Sequence, residues 1–251
     1  MISGGKNLSR IYFSGELRPG SRCALPPSQS HHAARVLRLE PGDAVTVFNG
    51  DGGEYAAVVA KVTKGGVTLD IGGRKAVDRE PPLPVTLAQA VSGGERMDFT
   101  LQKSVELGVA AIQPLAASRS VVRLGARRAE KRLAHWRSVV IAACEQCGRN
   151  RVPGVEPLLE FHDWLARIAK VHDGGARWLL SPHAEGSLRQ LARPTRGVVL
   201  LAGPEGGLAP EEERAAIAAG FKPLRLGPRV LRTETAAIAA LAAMQALWGD
   251  F

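Results

Sequence analysis

Two stretches, Leu200-Leu201-Ala202-Gly203-Pro204-Glu205-Gly206-Gly207-Leu208 and Leu226-Gly227-Pro228-Arg229-Val230-Leu231-Arg232-Thr233-Glu234-Thr235-Ala236, decide how this chain folds. Each is a glycine-bearing loop that follows an apolar run and precedes a segment of helical composition. That alternation predicts an α/β domain. In an open α/β sheet a ligand collects where loops leave the carboxyl ends of strands, because backbone N–H groups and helix starts converge there. The first loop matches neither the phosphate loop G-x-x-x-x-G-K-[ST] nor the dinucleotide fingerprint G-x-G-x-x-G, so those two cofactor classes lose their usual support. Taken alone, such a loop is equally an ordinary tight turn. In the second stretch, Arg229, Arg232, Thr233, Glu234 and Thr235 crowd polar groups just ahead of the Ala-rich residues 235–248. Thr233 or Thr235 suits a helix cap with Glu234 in the first turn. The two arginines suit phosphate, or a carbonyl that carries negative charge.

Working back from these loops, apolar runs at 85–91, 110–115, 178–181, 198–202 and 223–226 are strand candidates for a mostly parallel sheet. Helices are predicted over 96–107, with Gly108 as stop, and over 127–147, where Leu133, Trp136, Val140 and Ala143 recur at helical spacing. Another starts at Pro210, with Glu211, Glu212 and Glu213 near its positive end, and stops at Gly220. The final helix, 235–248, is apolar nearly all round and expects burial on more than one side.

The residues before the proline-stiffened stretch Asp78-Arg79-Glu80-Pro81-Pro82-Leu83-Pro84 are of another kind. Short β-prone runs at 10–13, 44–48, 54–62 and 67–71 are separated by Gly-rich turns, with a short helix over 30–39. A small barrel closes so many short strands without exposed edges. The predicted division is therefore 1–77, a β-barrel, and 78–251, the α/β domain.

Composition bounds the rest. A chain of 251 residues, 45% hydrophobic and 23% charged, is that of a globular protein. No apolar stretch approaches the roughly 18–20 residues of a membrane span, and the first twenty lack the apolar core of a signal peptide; a cytoplasmic protein without membrane partners is expected. Cys144-Glu145-Gln146-Cys147 has C-x-x-C spacing, but no second Cys/His pair completes a four-ligand zinc site, so no metal is expected. The formal net charge is +9, and residues 119–151 alone hold nine Arg or Lys against Glu130 and Glu145. Such an excess attracts a polyanion such as a nucleic-acid backbone. A solvated helix face is the plain alternative.

In sequence order, Arg10-Ile11-Tyr12-Phe13, His31-His32-Ala33-Ala34-Arg35-Val36-Leu37-Arg38 with Pro41-Gly42-Asp43, Lys103-Ser104-Val105-Glu106-Leu107-Gly108-Val109, Arg119-Ser120, Glu145-Gln146-Cys147-Gly148-Arg149 and the two glycine loops resemble the RsmE family of 16S ribosomal RNA uridine-N3 methyltransferases, of the SPOUT class. Ser118, Ser104-Val105 and Cys147 depart from the usual Glu, Leu-Thr and Ser of that pattern. The resemblance implies a PUA-like barrel that helps hold RNA and a SPOUT α/β domain with a C-terminal trefoil knot. It also implies S-adenosylmethionine as methyl donor, 16S rRNA or the assembled small ribosomal subunit as partner, and a homodimer. The cofactor is expected among Leu180, Ser181 and Pro182; Ala202, Gly203, Pro204, Glu205, Gly206 and Gly207; and Leu226, Gly227, Arg229, Val230, Leu231 and Thr235. Arg232 is the expected stabiliser of negative charge on the uracil, and Glu205 or Glu234 the expected base. Arg10, Arg35, Arg38, Arg119, Arg123 and Arg149 are expected to hold RNA, while His31 and His32 pack or touch RNA and His183 is structural. The rival reading is a noncatalytic RNA-binding protein of the same fold; an α/β enzyme using another nucleotide on a small substrate is the third.

Overall fold

The computed structural model describes residues 8–120, 126–171 and 174–251. They divide into two compact units: residues up to Glu80 together with Cys144–Val152, and Pro81–Ala143 together with Pro153–Phe251.

The first unit is built on β1 (Ser9–Tyr12), β2 (Arg22–Ala24), helix α1 (Pro27–His31), β3 (Ala44–Phe48), β4 (Gly53–Thr63) and β5 (Gly66–Ala76). The sheet order is β1-β3-β4-β5-β2, with β1 parallel to β3 and the other pairs antiparallel. Alternation places Val45 and Val47 of β3, Tyr55, Ala57 and Val59 of β4, and Val67, Leu69 and Ile71 of β5 in one core. The expected helix over 30–39 begins earlier and ends sooner. α1 passes into a π-helical turn, His32–Val36, which Arg38 terminates at φ 53°, freeing the Leu39 N–H to bond Ala33 O at 3.0 Å. β2 was not expected, since three residues with one buried side chain carry no periodicity to recognise.

The second unit follows the alternation read from the sequence. Its elements are β6 (Val85–Ala90), α2 (Glu95–Glu106), β7 (Ala111–Ala116), α3 (Ala126–Cys147, whose last turn groups with the first unit), β8 (Gly154–Val155), β9 (Leu159–Glu160), α4 (Phe161–Ile168), β10 (Ala176–Leu180), β11 (Val198–Ala202), α5 (Pro210–Ala218), β12 (Lys222–Leu224) and α6 (Thr233–Trp248). The strand order is β12-β10-β11-β6-β7-β8, with β9 also on β7, and every pairing is parallel. β6 and β11 are buried on both faces, as central parallel strands must be, which is why β11 reads as an unbroken apolar run and β6 as one interrupted only by Thr86 and Gln89. Met97, Leu101 and Val105 of α2, Trp136 and Val140 of α3, and Ala237, Leu241 and Met244 of α6 are fully buried at helical spacing. Each large apolar side chain among them contributes roughly 2 kcal/mol.

Two boundaries differ from expectation for a visible reason. β12 stops at Leu224 because the Arg225 N–H turns to bond Gly186 O at 2.8 Å. α6 starts at Thr233, and the Thr233 hydroxyl does not cap it but donates to Gly203 O at 2.6 Å. Arg232 occupies the N-cap position with no side-chain cap bond.

Candidate cofactor cavity and adjoining groove

The carboxyl ends of β10, β11 and β12 converge on a cavity of about 310 Å³ in the second unit. Three segments wall it: residues 179–183, residues 202–208, and residues 224–226 with 229–231. Hydrogen bonds fix each wall. Ser181 N–H bonds Leu224 O at 3.0 Å, joining the first wall to the third. In the glycine loop, Gly207 takes φ +67°, which closes a turn by its own N–H on Pro204 O at 2.9 Å. Gly203 permits a close approach: a Cβ there would lie 3.0 Å from the Leu208 amide nitrogen.

Behind the loop stands Gln89, fully buried at the end of β6 in register with Ala202. Its Nε2 lies 3.0 Å from Thr233 Oγ1 and 3.3 Å from Gly203 O, so one amide ties the glycine loop to the first residue of α6. Arg119 clasps the loop from the open side, donating to Gly206 O at 3.0 Å. The Glu212 carboxyl, 2% exposed, accepts Ala209 N–H at 2.9 Å and Ser118 N–H at 2.8 Å, capping α5 and holding the turn that carries Arg119. Gln89 was not singled out from the sequence, and Glu212 was placed only as one of three acids at the start of α5, not as the anchor of the Ser118 turn. The position of Gln89 at a carboxyl strand end was the signal that could have found it.

Glu205 lines the cavity, and its Oε1 accepts Gly93 N–H at 2.8 Å and Arg96 Nη1 at 3.0 Å. Burial pushes its pKa up, but the Gly93 and Glu205 N–H groups and the Arg96 guanidinium outweigh that and hold it below the usual value. A carboxyl so engaged is a poor base and a good latch.

Of the residues expected to hold the cofactor, Leu180, Ser181, Pro182, all six from Ala202 to Gly207, Leu226, Arg229, Val230 and Leu231 line this cavity; Gly227 and Thr235 do not. His183, Leu208, Glu213, Arg225 and Thr233 line it as well. Arg232, Glu234 and Thr235 instead line a neighbouring groove with Arg96, Asp98 and Phe99 of α2. The Glu205–Arg96 bridge connects the two, since its acid lines the cavity and its base the groove.

The residues expected to hold RNA separate into three groups. Arg35 and Arg38 are exposed beside the π-helical turn. Arg119 stands at the cavity. Arg10 and Arg149, with side chains 14% and 5% exposed, face inward within the first unit. Arg10 bonds Glu54 at 2.8 Å and Asn150 Oδ1 at 2.6 Å, and Arg149 pairs with Glu80. Their guanidiniums fasten residues 144–152 within that unit and are not presented to a backbone phosphate. Arg123 lies outside the described residues. Of the C-x-x-C pair, Cys144 is a poor nucleophile: burial pushes its thiol up to about 12, and its Sγ faces Arg151 O. Among the described residues no group of three or more His, Cys, Asp or Glu could hold a metal, and no helix is long and apolar enough to cross a membrane.

The cavity suits a nucleoside-sized ligand. Its volume falls in the usual range for small-molecule sites, about 300–1,000 Å³. The backbone N–H groups of Leu226, Arg229, Val230 and Leu231 find no hydrogen-bond partner among the described residues, leaving four donors on the loop that walls the cavity.

Comparison with known proteins agrees with this geometry. A family model described as an RNA methyltransferase domain matches residues 79–245, and one described as an RNA methyltransferase PUA domain matches residues 25–72. A Legionella pneumophila methyltransferase, solved in complex with the bound cofactor SAM, is 43% identical with TM-score 0.93, the match covering 98% of this chain and 100% of that one. The ribosomal RNA small subunit methyltransferase E of Neisseria gonorrhoeae, bound to S-adenosyl methionine, is 42% identical with TM-score 0.89 over the same shares. The Buchnera aphidicola protein of that name, from Schizaphis graminum, is 34% identical over 98% of both chains. With its PUA domain, its parallel-sheet RNA methyltransferase domain and full-length relatives of one name, the chain belongs to the ribosomal RNA small subunit methyltransferase E (RsmE) family.

Proposed function

We propose that the protein methylates N3 of a uridine in 16S rRNA, using S-adenosylmethionine held in the cavity at the ends of β10, β11 and β12. The observation that carries this is the set of unpartnered N–H groups of Leu226, Arg229, Val230 and Leu231, on the loop that walls the cavity opposite the glycine loop, in a chain whose 42–43% identical relatives were solved with that cofactor. The free N–H groups would hold the polar edges of the adenosine, and Leu180, Pro182, Leu226 and Leu231 its apolar faces. When bound, the cofactor supplies an electrophilic methyl on a sulfonium sulfur that leaves as a neutral thioether. The chain's own task is alignment of the acceptor nitrogen with that methyl.

Gln89, Thr233 and Arg119 act as positioning residues for the glycine loop. Glu205 acts as a latch between α2 and the loop, so Glu234 is the better of the two expected bases. Arg35, Arg38 and the exposed Arg127, Arg128 and Lys131 of α3 attract the RNA backbone, with Arg119 at the cavity mouth. The protein works in the cytoplasm as a homodimer, and its last segments form a trefoil knot. In support of dimerisation, α6 leaves Ala246 and Leu247 exposed and Ala239, Ala242 and Ala243 half-buried on a helix with few polar groups. In support of the knot, residues 225–233 are pinned to Gly186 and Gly203, in two separate connections of the chain.

The test is methyl transfer to small-subunit RNA, naked and assembled, from a strain lacking the gene, followed by nucleoside analysis. The expected product is 3-methyluridine. Cofactor binding without any methylated nucleoside would favour the noncatalytic RNA-binding reading.

A further inference from the structure

The groove beside the cavity contains chemistry that cofactor binding does not use. It measures about 630 Å³ and lies between α2, α3 and the first turn of α6. Two of the residues lining it carry a carboxyl oxygen, Glu234 Oε2 and Asp98 Oδ1, that is buried without a hydrogen-bond partner among the described residues. Such acceptors are costly unless a donor arrives. Asp98 already uses its other oxygen on His135 Nε2 at 2.6 Å. On the same groove stand Arg96 and Arg232, and the Phe99 ring, 47% exposed on α2.

Donor, acceptor and donor in one groove complement one nucleobase edge. Uracil offers O4, N3–H and O2, acceptor, donor and acceptor, whereas cytosine offers a donor, an acceptor and an acceptor. An exposed aromatic ring is the common platform for an unstacked base. We infer that this groove seats the target uracil, with the Glu234 carboxyl receiving the N3 proton, Arg96 and Arg232 on the two ring oxygens, and Phe99 against the base face. This rests on the methyltransferase function proposed above and specifies its nucleotide subsite. The proton leaves N3 for the Glu234 carboxyl, the N–H electron pair stays on nitrogen, and the resulting charge spreads to O2 and O4, where the guanidiniums stabilise it. The Glu205 latch places Arg96 of the groove and the glycine loop of the cavity in one bonded unit.

The test uses the full chain and four measurements on wild type, Glu234→Gln and Phe99→Ala. These are calorimetry with S-adenosylmethionine, light-scattering mass, anisotropy with small-subunit RNA, and single-turnover methylation across pH. Both variants are expected to keep cofactor affinity within about twofold and an unchanged mass. Phe99→Ala is expected to weaken RNA binding and to slow transfer at least tenfold. Glu234→Gln is expected to slow transfer at least a hundredfold at neutral pH, with the deficit narrowing as pH rises and uracil ionises without help, a recovery that a merely structural role would not give. Transfer at the wild-type rate in both variants overturns the subsite while leaving the methyltransferase function standing. A pH-independent deficit in Glu234→Gln, or a change of mass showing that the groove is a contact between copies, overturns it too. Absence of transfer by the wild type would refute the function itself.

Discussion

Thr233 shows how much can rest on one hydroxyl. It donates to Gly203 O at 2.6 Å and accepts from Gln89 at 3.0 Å, so it joins the glycine loop, the buried end of β6 and the start of α6. Thr233→Val keeps the shape and removes both bonds, leaving the Gly203 carbonyl and the Gln89 amide short of a partner. Cofactor affinity is expected to fall roughly tenfold, about 1.4 kcal/mol, with Thr233→Ser near wild type; calorimetry decides, and equal affinity for the valine variant would contradict the role. Two carboxyls of the first unit give opposite pH signatures. Burial raises Glu54, but bonds from Arg10, Arg79 and Asn150 outweigh it and lower its pKa. The stability it contributes is complete above its ordinary value of 4.5 and is lost as pH falls through the lower folded-state value. Glu145 is raised, by burial first, against the Tyr12 N–H and the charges of His32 and Arg10. It therefore costs stability as pH climbs from 4.5 through its higher folded-state value. Urea titrations of Glu54→Gln and Glu145→Gln should show the first losing stability at neutral pH and the second gaining it, since glutamine still accepts the Tyr12 N–H. Parallel curves for both would sink the assignment.

At the scale of elements, residues 144–152 are the clearest case of a segment held by charge. Arg149 is 4% exposed and paired with Glu80, and Asn150 donates to Val77 O at 2.9 Å. Arg149→Ala should cost about 3 kcal/mol in chemical denaturation, because it strands the Glu80 carboxyl. A loss under about 0.5 kcal/mol would mean that the pair is dispensable. These same residues mark where sequence reading met its limit. Strands β3, β6 and β11 and helices α2, α3 and α5 were legible because apolar period and terminal Gly or Pro agreed. β8 and β9, of two residues each, had too little period to register, whereas α4 does repeat Phe161, Trp164, Leu165 and Ile168 at helical spacing and was passed over because it is only eight residues long. The cavity was legible from its glycine loops, whereas the roles of Gln89 and Arg96 and the bond of Glu212 to Ser118 were not, since long-range hydrogen bonds leave no local pattern. Arg10 and Arg149 read as free cations for the same reason: nothing local distinguishes an arginine facing solvent from one folded onto Glu54 or Glu80.

For the whole molecule, charge and association follow from the surface. With +9 on 251 residues and a basic exposed start to α3, RNA affinity should fall steeply with salt, in a linear plot of log K against log salt. A flat plot would place binding in base contacts alone. Light scattering should give twice the chain mass of 26.6 kDa, and Leu247→Arg should shift it toward the single chain; a wild-type mass of one chain would contradict the homodimer. The central claim is the cofactor cavity, and a crystal soaked with S-adenosylmethionine tests it most directly. One molecule is predicted among residues 179–183, 202–208, 224–226 and 229–231, bonded by the amides of Leu226, Arg229, Val230 and Leu231. Density for the cofactor elsewhere, or none at saturating concentration, would contradict the account.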